Sequence, residues 1–109
     1  MTNAVQEWIV GQLKARPHAK TFAYVAHEAV HGPLEVPPRY INDECMNVVG
    51  DTHPTRLIYC GMVRAVDESV KNITHMYEQL EILQDTLIIL STDNGGHTEV
   101  GGSNYPLRG

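Results

Sequence analysis

The run Leu87-Ile88-Ile89-Leu90, which stops abruptly at Ser91-Thr92-Asp93-Asn94-Gly95-Gly96, limits the available folds more than any other stretch of the chain. Four apolar residues without alternation predict a strand buried on both faces, the pattern of a parallel sheet covered by helices. Open α/β sheets place their ligands just beyond the carboxyl ends of the strands, and here a carboxylate and a carboxamide stand at that position. Asp93 and Asn94 offer side-chain oxygens, which suit a hard cation such as Ca2+ or Mg2+. The ordinary reading is a turn, because Asx-Gly pairs favour turns on their own account. Two ligands also fall short of the roughly 6–8 oxygens that Ca2+ takes, so further donors would have to come from elsewhere.

The preceding chain reads as follows. Asn3 to Ala15 is predicted to be a helix, with Val5, Trp8, Ile9 and Leu13 at helical spacing and Arg16-Pro17 ending it. Thr21 to Ala26 is short and rich in β-formers, a predicted strand that delivers His27, Glu28 and His31. His31 to Pro38 carries three prolines and reads as a fixed loop. Arg39 to Thr55 shows no clear period, with one helical turn expected around Pro38 to Asn42. Arg56 to Leu83 is the longest predicted helix: Tyr59, Met62, Val66, Val70, Ile73, Tyr77 and Leu80 step by three or four residues. Strand, loop, helix and strand in that order predict an α/β fold with parallel strands and a right-handed βαβ crossover. That topology would put His31 and the Asp93-Asn94 pair on one rim of the sheet.

With 109 residues, 42% of them hydrophobic and 19% charged, the chain suits one small globular domain. A net charge of −5 excludes the basic footprint of a nucleic-acid binder. No apolar run is long enough to cross a membrane as a helix. The first twenty residues lack the basic start, apolar run and cleavage site of a signal peptide. Cys45 and Cys60 match no zinc spacing, and on residues alone two free thiols and one disulfide remain equally open. Gly96 to Ser103 nearly spells a phosphate-binding loop. Gly102 stands where the lysine must be and no helix follows, so that reading is rejected. His31 could be a packed loop histidine or a hydrogen-bond donor to an anionic substrate. His18, His53, His75 and His97 are scattered, and Asn72-Ile73-Thr74 is an N-glycosylation sequon on the polar side of the predicted helix.

Three stretches together resemble the sulfatase family, in its arylsulfatase B (N-acetylgalactosamine-4-sulfatase) type. They are Ala29 to Pro37, Tyr59 to Val70 with the Asn72-Ile73-Thr74 triplet, and Leu90-Ser91-Thr92-Asp93-Asn94-Gly95-Gly96 followed by Gly101 to Gly109. The resemblance covers almost the whole chain in the right order. It implies an alkaline-phosphatase-like α/β fold and a Ca2+ ion held in part by Asp93 and Asn94. It also implies a sulfate contact at His31, and a formylglycine nucleophile that hydrolyses sulfate esters of glycans or aryl groups. The lysosomal or secreted setting of the family favours a glycan on Asn72 and a Cys45–Cys60 disulfide. The family's paired aspartates, its Cys-x-Pro-Ser-Arg signature and its Lys-x-His pair are not in this sequence. Cys60-Gly61-Met62-Val63-Arg64 matches the signature only superficially, since Met62 stands where Pro or Ala is required. The resemblance therefore implies an internal piece of a catalytic domain, incomplete at both ends and without its own nucleophile. The alternative is a truncated or degenerate relative, not catalytic, with at most weak metal binding. A phosphate-ester enzyme of the same superfamily is a third reading, and it would carry more His and Asp ligands.

Overall fold

The computed structural model of the protein describes residues 2–50 and 53–107. Arg108 and Gly109, the end of the last stretch that carries the resemblance, lie outside the described residues, as do residues 51 and 52. The chain forms helices α1 (Thr2–Ala15), α2 (Asp43–Val49) and α3 (Pro54–Gln79), with 3₁₀ turns at Pro38–Tyr40, Leu83–Asp85 and Thr98–Val100.

The expected α/β fold is not formed. Among the described residues there is no strand, so the parallel sheet and its βαβ crossover are absent. The physical reason is that a strand exists only when it is paired. Neither Thr21–Ala26 nor Leu87–Leu90 finds a backbone ladder, and both stay irregular. Their large side chains face solvent: Phe22 is 86% exposed, Tyr24 84%, Leu87 85% and Ile89 78%. The local pattern of a doubly buried strand is present, but the neighbours that would bury it are not.

The chain divides into two compact units. The first comprises Met1–His27 and Glu68–Leu87, the second Glu28–Asp67 and Ile88–Gly109.

In the first unit α1 lays its apolar stripe on the second half of α3. Ile9, 1% exposed, meets the buried Met76 and Tyr77, and Val5, Leu13, Ile73, Leu80 and Ile82 pack around them. These positions recur at three- and four-residue steps on both helices, which is how an amphipathic pair closes a small core. Gln6 Nε2 donates to the Asn72 carbonyl at 3.2 Å across the same contact. Helix α3 ends four residues before the predicted Leu83. Ile82 N–H reaches back to the Tyr77 carbonyl and Glu81 N–H to the Glu78 carbonyl, with Glu81 at φ 57. This is a Schellman stop made by a glutamate, and Ile82 supplies the apolar contact that goes with it. Without a glycine at this point the periodic pattern runs on past the real end.

Burial holds the Tyr77 phenol above its ordinary value of 10.0 by penalising the phenolate. A group whose folded value is raised stabilises the fold fully below its unfolded value, and that contribution is lost as pH rises through the folded value. Tyr77→Phe is therefore expected to reduce the alkaline loss of stability. Denaturant melts of both proteins on either side of pH 10 check this: the difference between them should be flat below pH 10 and change above it.

The second unit is built around α2 and the first half of α3. Asn42 caps α2, its side-chain oxygen accepting from Cys45 N–H at 3.3 Å, with Asp43 and Glu44 in the first turn. Gly50 ends the helix at φ 77. Two links tie α2 to α3. Cys45 is disulfide-bonded to Cys60, and Arg64, one helical turn on from Cys60, pairs with Glu44. Cys45, Gly61 and Met62 are buried at this contact. A Cβ at Gly61 would lie 2.9 Å from Val36 Cγ1 and 3.1 Å from Ile41 Cγ1, so the proline-rich loop and the turn after it pack directly on the helix backbone.

Candidate functional site

The loop after Leu90 is the site candidate, and its geometry is set within the second unit. Asp93 and Asn94 form a bend, and both are exposed. Asn94 Nδ2 donates to the Gly95 carbonyl at 2.8 Å. The N–H of the same peptide group, on Gly96, donates to Asn104 Oδ1 at 2.7 Å, and Asn104 Nδ2 donates to the Gly96 carbonyl at 3.0 Å. Gly102 N–H closes back on the His97 carbonyl at 3.0 Å. The two glycine pairs make this possible. A Cβ on Gly102 would sit 2.8 Å from both Gly96 C and His97 N, and a Cβ on Gly95 would sit 2.7 Å from Asn104 Oδ1. Backbone here packs on backbone, and no other residue type fits without a shift.

With its amide nitrogen engaged, Asn94 keeps Oδ1 without a donor among the described residues, next in sequence to the Asp93 carboxylate. The pair thus presents oxygen donors in open solvent. His31 lies in the exposed loop that leads to the prolines. Its Nδ1 is 2.9 Å from the Gly32 carbonyl. A carbonyl can only accept, so Nδ1 carries the proton and Nε2 is left for a ligand. Among the described residues no hydrogen bond or ion pair joins His31 to Asp93 or Asn94, and no three His, Cys, Asp or Glu groups gather as a metal site.

Asn72 is exposed on α3, and the sequon's Thr74 Oγ1 donates to the Val70 carbonyl at 2.8 Å. Two features escaped the sequence reading. Asn104 lies eight residues from Gly96, and no local pattern announces the pairing. A cavity of about 330 Å³ opens at the start of α3, lined by His53, Thr55, Arg56, Thr98 and Glu99 among others. Its residues come from two distant segments. Gly101, at φ +100, brings them together by passing 3.1 Å, at its would-be Cβ, from Arg56 Cα. Among the described residues no helix is long and apolar enough to cross a membrane.

Comparison with known proteins adds an independent line. The family model described as Sulfatase matches residues 1–109. Mouse arylsulfatase J is 38% identical over 95 residues, which cover 85% of this chain and 15% of that protein. Human N-acetylgalactosamine-6-sulfatase is 27% identical over 94 residues, covering 83% of this chain and 16% of that protein. The chain thus spans about a sixth of the length of these relatives. No solved structure matches it.

Proposed function

The chain belongs to the sulfatase family, and from that premise we propose that the complete protein hydrolyses sulfate esters of glycans or aryl groups, in the arylsulfatase B manner. The observation that carries this reading is the Asp93-Asn94 pair on its tied glycine loop, in a chain that is 38% identical to an arylsulfatase over 95 residues. The donor chemistry fits Ca2+ as part of its shell: a carboxylate, and a carboxamide whose nitrogen is already engaged, both open to solvent. Ca2+ would supply positive charge against the sulfate oxygens, while a formylglycine outside these residues would supply the nucleophile. In this reading His31 binds the sulfate through Nε2 and donates to it when protonated on both nitrogens. Asn72 is the glycan site, and the complete protein is lysosomal or secreted, a setting that the Cys45–Cys60 disulfide supports.

The test is hydrolysis of 4-nitrophenyl sulfate by the complete protein. Activity should vanish on treatment with EGTA and return with added Ca2+. Full activity in the chelator, or a preference for the phosphate ester, overturns the proposal. His31→Ala should lower turnover by roughly a hundredfold, the worth of one donor to developing charge, with an unchanged melting curve. An unchanged rate would make His31 a loop residue only.

A further inference from the structure

We propose that Asn104 is a positioning residue for the cation-binding pair, acting through the 95–96 peptide group; the inference rests on the Ca2+ reading above. A single peptide plane links the two asparagines. On one side its N–H donates to Asn104 Oδ1 at 2.7 Å, and on the other its carbonyl accepts from Asn94 Nδ2 at 2.8 Å. The order of donors along this relay leaves one consistent orientation for the Asn94 amide. Its nitrogen turns inward to the Gly95 carbonyl, and Oδ1 is the atom left for a cation. Asn104 Nδ2 also holds the Gly96 carbonyl at 3.0 Å, so one carboxamide grips the peptide groups on both sides of Gly96.

The grip matters because of what it restrains. Gly95 and Gly96 follow the pair directly, and glycine is the residue least able to hold a backbone conformation by itself. Left alone, the 95–96 peptide could rotate, and Asn94 would then lose the carbonyl that orients its amide. Asn104 is partly buried while Asp93 and Asn94 are exposed, so the anchor lies inside and the donors outside. Hydrogen bonds sharing one peptide group polarise each other, which makes the relay stiffer than two separate bonds. Outer groups that orient metal ligands typically matter by roughly 10–100-fold in affinity.

The experiment is Ca2+ calorimetry on the complete, EGTA-stripped protein, with amide hydrogen exchange followed over residues 93–104. Asn104→Ala should weaken Ca2+ binding at least about tenfold and speed exchange at the Gly96 amide. Ser103→Ala, next to it and exposed, should change neither. If Asn104→Ala fails to fold, Asn104→Gln serves, since it keeps the charge, the donor and the acceptor and carries them one methylene out of register with the Gly96 peptide groups. Ca2+ affinity within twofold of wild type in the folded variant, with or without faster exchange, overturns the positioning role and leaves the cation site standing. No Ca2+ uptake by the wild-type protein overturns the cation site itself, and this inference with it.

Discussion

Asp93→Ala in the complete protein should lower kcat/KM for a sulfate ester by roughly 10³-fold or more. The pair's only negative charge resides on this carboxylate, and a metal ion that stabilises transition-state charge is worth several kcal/mol, at about 1.4 kcal/mol per decade of rate. Asp93 is exposed, and among the described residues none donates a hydrogen bond to its side chain, so its removal leaves the packing alone. Loss of activity with an unchanged melting curve is therefore the expected pair of results. Asp93→Asn, which keeps the shape and removes the charge, should fall nearly as far. Activity within tenfold of wild type for Asp93→Ala would remove it from the cation site.

The second large effect is on stability. The Cys45–Cys60 disulfide closes a loop with a sequence separation of 15. A cross-link of that span stabilises by about 3 kcal/mol, chiefly by restricting the unfolded chain. Replacing Cys45 and Cys60 together with alanine should cost about that much in urea denaturation. Dithiothreitol should bring the wild-type chain close to the variant and leave the variant unmoved. The neighbouring Arg64–Glu44 pair cannot substitute, because Glu44 is largely exposed and such pairs contribute little. A difference below about 1 kcal/mol would mean that the buried contact around Met62 already holds α2 in place.

What the sequence made legible follows the range of the forces involved. α1 and α3 could be read because a helix closes its hydrogen bonds within a few residues and shows its buried face as a period. α2 shows no readable period, although Asn42, Asp43, Glu44 and Gly50 spell its start and stop. Seven residues are too few for a period to emerge. Thr21–Ala26 and Leu87–Leu90 have strand composition and form no strand, because composition records what a segment would do if paired. Pairing is a property of other segments. The bend at Asp93-Asn94 was legible from Asx-Gly chemistry, whereas its tie to Asn104 was not, since side-chain bonds across eight residues carry no period. The pairing of Cys45 with Cys60 likewise could not be read from spacing.

The back-to-back contact of Gly96 with Gly102 divides the labour within this loop. Geometry sets the glycines: a Cβ on Gly102 collides with main chain and one on Gly95 with Asn104, Gly101 sits at φ +100, and Gly96 has only tight space beside Gly102. Asp93 and Asn94 stand in solvent where many side chains would fit, so on the Ca2+ reading proposed above it is chemistry that sets them. Shape and reactivity are thus written at separate positions a few residues apart. A lineage of such chains could exchange the two donors for others, and so change the ion or anion that it prefers, without reworking the frame. The frame itself admits almost no drift.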